Sequence, residues 1–264
     1  MIILRYGRKG RLLMPDNFEE LTPKQAIALA PLMFEGGDEE KCKALAVKIL
    51  AGLGLISFKL LPAEVLTKAL PYTDWLFEHK PFTCQWIPEY RGYHGPAADF
   101  ENLRMKEFHF SELHYRVLVS DGPDDSAINN LVAALYRPAK KGYDRRRNPD
   151  GDIRVPFNHN EMDYHAAIVA KWPESVKQAI FLWYDGCRTT LIDNNPKVFK
   201  EPVVNGFESQ FDTGLYGMMR SLAGERLGPV DRIECMEIKQ AMLELGLIKE
   251  EEEYYESQMA QNQS

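Results

Sequence analysis

Cysteine is scarce in this chain. Its 264 residues contain four, Cys42, Cys84, Cys187 and Cys235, too widely spread for a disulfide framework and in keeping with a reducing cytoplasm. Long apolar runs are missing as well. The longest uncharged apolar stretch covers 49–58 and is broken by two glycines, whereas a membrane-spanning helix needs about 20 residues. The opening MIILRYGRKGR turns basic after Ile2, Ile3 and Leu4, well short of the roughly 7–15 apolar residues of an export signal. Neither a membrane span nor an export signal is expected. Positive charge is also in deficit: the formal net charge is −7, which disfavours a nonspecific nucleic-acid binder, because such a protein needs a concentrated basic face.

Catalytic signatures are absent too. Nothing matches a phosphate loop, a dinucleotide turn, a nucleophile elbow or a zinc-protease helix. Gly52-Leu53-Gly54 supplies part of a nucleotide fingerprint, but it ends a helix where that motif would begin one. His109 and His114 are five apart, and His159 and His165 six apart. Helical ligand pairs sit three or four apart, so these read as surface or cap histidines. Cys187 falls on an apolar helix stripe and reads as a core residue. The aspartates at 121, 124 and 125, and at 144, 150 and 152, lack the ligand order of a calcium loop and read as turn and cap chemistry. Convergent carboxylates would leave no trace in sequence, and nothing positive argues for them. No enzyme, metal or cofactor is expected.

What is present is ordinary globular composition, 45% hydrophobic and 27% charged. A chain of this size buries roughly 70–75% of its unfolded surface, so a core needs no staples. Residues 1–20 read as a strand or hairpin. Thr22 then caps a helix, with Pro23 at its first position and Gln25 placed for a capping box; Gly36-Gly37 end it. Asp38 caps a second helix, closed by Gly52 and Gly54, and a third begins at Pro62. The aromatic-rich insert 72–110 reads as extended, with LRMKEFHF alternating at period two. Ser111 and Ser126 read as caps of the next two helices, and Pro138 stops the second. A helix over about 160–171 precedes the clearest one, 173–192. In that one Val176, Ile180, Trp183, Tyr184, Cys187 and Leu191 recur at helical spacing. Helices over 207–223 and 229–245 follow, then an acidic tail, 250–264, of a kind that is usually mobile. The expected fold is mainly α: one compact multi-helix domain over 1–264, with minor extended segments near the N-terminus and around 82–110.

One basic run departs from the acidic balance. Lys140, Lys141, Arg145, Arg146 and Arg147 lie within the long loop 138–158. They are candidate contacts for an anion, although such a run most often marks a solvated loop.

Three stretches carry a resemblance. LMPDNFEELTPKQ (13–25), NNLVAALYRP (129–138) and FLWYDGCRTTLIDNNPKVF (181–199) resemble proteins encoded in the tail-gene regions of Bacteroidetes phages and prophages. The C-terminal order also fits: a helix, LAGERLGPVDR (222–232), a last helix and an acidic end. The resemblance implies a noncatalytic tail assembly chaperone or minor morphogenesis factor, acting in the host bacterial cytoplasm. Its implied partner is the long helical tape measure protein, or another tail protein. Adaptable methionine contacts would suit such a client, which makes Met218, Met219, Met236 and Met242 candidates, although methionines most often fill cores. Two other readings stand beside this one: a tail, neck or baseplate component kept in the virion, and a phosphate or nucleic-acid binder using the basic loop.

Overall fold

The structure is a computed structural model that describes residues 1–6, 10–78, 82–120, 124–144, 146, 151–199, 215–224 and 227–262. Among them eleven α-helices and five short strands make the chain mainly α, as the periodicity predicts. The expected single unit over 1–264 divides by its internal contacts into two. Met1–Ile87 with Lys171–Cys187 forms the first, and Pro88–Ala170 with Arg188–Ser264 the second.

The first unit opens with the predicted hairpin. Strands β1 (Ile2–Tyr6) and β2 (Gly10–Met14) pair antiparallel with Ile2 opposite Met14. Leu12 and Met14 point inward while Ile3 and Leu13 face out, the two-residue alternation of a half-buried sheet. Asn17 caps a 3-10 helix, Phe18–Glu20. The capping box of Thr22 and Gln25 then starts α1 (Pro23–Glu35), which stops at Gly36 with φ 67°, a left-handed conformation that suits glycine. Asp38 caps α2 (Glu39–Leu50) as expected. Two short helices follow, α3 (Leu55–Lys59) and α4 (Ala63–Ala69), and then a 3-10 helix, Leu70–Leu76. The sequence reading omits α3 because two glycines in the apolar run mask so short a helix.

The aromatics of 72–86 belong to this core. The Phe18 ring lies 4.8 Å from Trp75 and 4.4 Å from Phe82, and Phe82 stacks on Trp86 at 4.7 Å. Trp86 Nε1 donates to the Phe18 carbonyl at 3.2 Å. Across this unit runs the first part of α8 (Glu174–Asp193), and the predicted stripe is buried at every position through Cys187. Trp183 Nε1 donates to the Thr83 carbonyl at 3.1 Å. A Cβ on Gly186 would collide with the Phe82 carbonyl oxygen, closer than backbone atoms tolerate. Gly186→Ala is therefore expected to destabilise by about 1–3 kcal/mol, although alanine is the better helix former by about 1 kcal/mol. Chemical denaturation followed by tryptophan fluorescence measures it, since all four tryptophans (Trp75, Trp86, Trp172, Trp183) lie in this unit.

In the second unit α6 (Asp125–Leu135) packs between α5 (Met105–Ser120) and α7 (Met162–Val169). It is buried from Ala127 through Leu135 except at Asn129 and Asn130, which are half-buried. Strands β3 (Glu89–Tyr90), β4 (Tyr93–His94) and β5 (Arg137–Pro138) form one small antiparallel sheet. Arg91 (φ 50°) and Gly92 (φ 78°) make the tight turn between β3 and β4.

Several expectations need correction here. Residues 105–110 are helical rather than extended. Met105, Phe108, Ser111 and Glu112 are all buried, so spacings of three and four outrank the apparent alternation. Ser111 is consequently no cap; its Oγ donates to the Glu107 carbonyl inside α5 at 2.9 Å. Asp124, not Ser126, caps α6 by accepting from the Ser126 amide at 2.7 Å. The expected helix 207–223 is described only as α9 (Leu215–Leu222); residues 207–214 lie outside the described residues. The expected helix 229–245 is two: α10 (Val230–Glu234) and α11 (Ile238–Asn262). The acidic tail continues α11 as exposed helix, and Lys197 Nζ meets Glu250 at 3.1 Å and Glu253 at 3.5 Å.

Candidate functional site

The basic run is expected to mark a solvated loop, but the C-terminal part of the loop 138–158 is anchored in the core. The Lys140 amide donates to the Ile153 carbonyl at 2.8 Å and the Val155 amide to the Pro138 carbonyl at 2.9 Å. This short return places Asp152 and Arg154 beside Glu107 of α5 and Arg137 of β5. All four are buried, none more than 5% exposed. Arg154 Nε donates to Asp152 Oδ1 at 2.9 Å, and its Nη atoms donate to the Leu135 and Asn102 carbonyls at 3.0 and 3.1 Å. Arg137 donates to the Val155 carbonyl at 2.8 Å, to the Ala134 carbonyl at 2.7 Å, and from Nη2 to Glu107 Oε1. Arg154 Nη2 lies 3.1 Å from Glu107 Oε2, a charge contact without hydrogen-bond alignment.

Two guanidiniums thus balance two carboxylates in a place water does not reach. Burial opposes charge at Arg154, but Glu107 and Asp152 more than compensate and raise its pKa. At Arg137 burial outweighs the pull of Glu107 and lowers the pKa to about 10; a guanidinium there is still charged at neutral pH. Burial would raise the Asp152 carboxyl, yet its bonds from Arg154 leave it below its ordinary value. With backbone carbonyls accepting further guanidinium hydrogens, the network clamps α5, β5 and the loop return together. Its four residues were not foreseen. They lie at 107, 137, 152 and 154, and no local spacing rule links them.

Beside this network is a pocket of about 240 Å³. Arg104, Lys106 and Lys140 join the guanidiniums around it, and Glu234 is the one carboxylate added. Lys106 Nζ pairs with Glu234 at 2.8 Å, and Lys140 Nζ donates to the Asp152 carbonyl at 2.7 Å. Of the predicted anion contacts among the described residues, Lys140 lines the pocket and Lys141 and Arg146 do not. Lys141 and Arg146 are exposed, and Arg145 and Arg147 lie outside the described residues. The methionine candidates divide similarly. Met219 and Met242 are core residues, each 1% exposed, and so offer no surface to a client; Met218 and Met236 are half-buried.

The histidines correct another expectation. His165 is buried, with Nδ1 3.1 Å from the Tyr93 hydroxyl. His109, His114 and His165 all have pKa values held below 6.5, chiefly by burial. A group whose folded pKa is depressed contributes stability above its unfolded pKa and loses it as pH falls through the folded value. The second unit is therefore expected to weaken progressively as pH falls below about 6.5, the free imidazole value, in thermal melts taken at a series of pH values. Among the described residues no group of three or more His, Cys, Asp or Glu could hold a metal, and no helix is long and apolar enough to cross a membrane.

A second feature lies in the first unit. On α3, Leu55 and Ile56 are 67% and 76% exposed, and Leu60, which caps the helix at its C-terminal end, is 77% exposed. The Gly52–Gly54 turn that leads into α3 lines a groove of about 550 Å³, together with Lys24, Ala28, Lys48 and Ile49. These three exposed aliphatics fall within the six residues Leu55–Leu60, directly after the turn that lines the groove, and exposed apolar side chains grouped in this way are candidates for an interaction surface. Sequence periodicity cannot reveal this, because it does not say which apolar residues stay uncovered. No family model, curated protein or solved structure matches the chain.

Proposed function

We propose that this chain is a noncatalytic phage tail morphogenesis factor, an assembly chaperone that binds the tape measure protein or another tail protein. The phage assignment rests on the resemblance of residues 13–25, 129–138 and 181–199. The observation that carries protein binding is the uncovered apolar surface of Leu55, Ile56 and Leu60 beside the groove. An amphipathic helix of a client, laying its apolar face into a groove, is a recurrent recognition mode that suits this geometry. Burying the three side chains contributes about 1.5–3 kcal/mol each. Association costs about 4–15 kcal/mol, so the groove must add to the contact for a stable complex. The charged network beside Glu107 fits a structural clamp in this reading, since its two guanidiniums and two carboxylates balance one another in charge.

The test is co-expression of this chain with the tape measure protein of the same genome. The client is expected to be soluble only with the chain present, and to co-purify with it. A client that is soluble alone and binds nothing would contradict the proposal. A virion component would instead persist in purified particles, where mass spectrometry finds it; a chaperone is expected to be missing from them.

A further inference from the structure

We propose that the groove lined by α1, α2 and the Gly52–Gly54 turn selects an acidic amphipathic helix, an apolar stripe flanked by carboxylates, and that Lys24 and Lys48 recognise its charge. This rests on the reading of the groove as a helix-binding surface and adds what the bound segment must carry.

The charge pattern begins in the sequence. The chain has a net charge of −7, yet no Asp or Glu occurs between Glu40 and Glu64, a stretch that holds Lys41, Lys43, Lys48 and Lys59. Lys41 meets Asp38 at 3.5 Å, and Lys43 meets Glu39 at 2.6 Å and Asp74 at 2.7 Å. Lys24, Lys48 and Lys59 make no ion pair among the described residues.

The groove gathers two of these three. Lys24 and Lys48 belong to its lining, and no carboxylate does. The other polar side chains there are spent inside the fold. Gln25 Nε2 donates to the Leu50 carbonyl at 2.9 Å, its Oε1 accepts from the Thr22 amide at 3.0 Å, and Thr22 Oγ1 accepts from the Gln25 amide. The two ammoniums are left to meet a partner. Ala28, Ile49 and Leu53 supply apolar lining. A Cβ at Gly52 or Gly54 would meet nothing within 4 Å, so this wall is bare backbone, open to close approach. Just beyond it, Lys59 is exposed beside Leu60.

Cations set in apolar surface decide which helix fits. A wholly apolar helix would cover the two ammoniums without pairing them, and unpaired charge is costly to take from water. A basic helix would add like-charge repulsion, which suppresses wrong partners. Carboxylates beside an apolar stripe avoid both costs. The chain holds one such segment itself, the end of α11, where Tyr254, Tyr255 and Met259 are exposed after four glutamates. Glu250 and Glu253 are already held by Lys197, and Glu252 by Lys249. The occupant is therefore assigned to a separate protein.

Fluorescence anisotropy with the intact chain and two labelled synthetic helices tests this. Both helices carry the same leucine stripe, flanked in one by glutamates and in the other by lysines. The glutamate helix is expected to bind saturably and at least about tenfold tighter, with the margin narrowing as salt is raised. The double variant Lys24→Glu with Lys48→Glu is expected to reverse the preference, a gain that misfolding cannot produce. Binding of neither helix, equal affinity for both, or an unreversed preference in the double variant would each overturn the proposal. So would self-association of the chain alone that the double variant abolishes in sedimentation, which would make a second copy the occupant. A tape measure protein that co-purifies equally with parent and double variant would overturn the charge selection and leave the client reading standing. A reversible preference for the glutamate helix, with no tape measure protein bound, would support the selection and contradict the phage client.

Discussion

Replacing Glu107 with alanine is expected to destabilise the second unit by about 3–5 kcal/mol, the usual cost of removing one partner from a buried ion pair. Among the described residues, Glu107 is a carboxylate that contacts both Arg137 and Arg154. Both guanidiniums are essentially out of water, at 2% and 1% exposure, and their backbone hydrogen bonds cannot neutralise them. Asp152 would remain to face two cations. Glu107→Gln separates charge from shape. Its amide oxygen can still accept from Arg137, so a smaller loss is expected, about half that of the alanine variant if net charge and hydrogen bonding share the effect, since hydrogen bonds to charged groups contribute about 1.5–3 kcal/mol. Chemical denaturation followed by far-ultraviolet circular dichroism reads both. An alanine variant within about 1 kcal/mol of the parent, the range of exposed pairs, would mean that water reaches the network.

The second large effect belongs to the first unit. Trp183→Ala is expected to cost about 3–5 kcal/mol, the range for a buried aromatic cut back to a methyl group. Trp183 is 1% exposed and ties α8 to the 82–86 segment through its bond to the Thr83 carbonyl. That segment brings Phe82 and Trp86 onto Phe18, so the loss should spread into the aromatic cluster. Fluorescence of the three remaining tryptophans, all in this unit, is expected to shift to the red at denaturant concentrations where the parent is still folded. A conservative Trp183→Phe keeps most of the burial but not the hydrogen bond. Its cost is expected to fall well below that of alanine.

Much of the fold is legible in the chain because it depends on local rules. The Thr22–Pro23–Gln25 capping box and the Asp38 cap are set by neighbours within three residues. The α8 stripe is set by a period that needs no knowledge of what covers it, and Val176, Ile180, Trp183, Tyr184, Cys187 and Leu191 are all buried. Legibility ends where tertiary contacts decide. The start of α5 is fixed by the Met105 amide donating to the Met236 carbonyl, and the Ile238 amide donates to Leu103 in return. Those partners are more than 130 residues apart, so the six residues 105–110 read as an alternating strand. The division into two units is hidden for the same reason: 171–187 joins residues 1–87 across the whole of 88–170.

The candidate sites follow this divide. The basic run at 140–147 is conspicuous in sequence, yet of its described basic residues Lys140 reaches the pocket while Lys141 and Arg146 do not. The residues that build the pocket are single charges embedded in apolar or turn-like contexts: Glu107 in a helix, Arg137 after ALY, Arg154 before VPF. Their partnership arises when α6 ends and β5 turns the chain back onto α5. The methionines show the converse. Helical spacing marks Met219 and Met242 without distinguishing a client surface from a core, and packing against α11 and its neighbours buries both.

Hydrogen–deuterium exchange of the chain, alone and bound to the tape measure protein, tests the proposed client surface most directly. Slowed exchange is expected over 52–60, which spans the leading turn, α3 with Leu55 and Ile56, and the following Leu60, and over the first turn of α1, which helps line the groove. Unchanged exchange across both segments in a stable complex, with protection confined elsewhere, would contradict it.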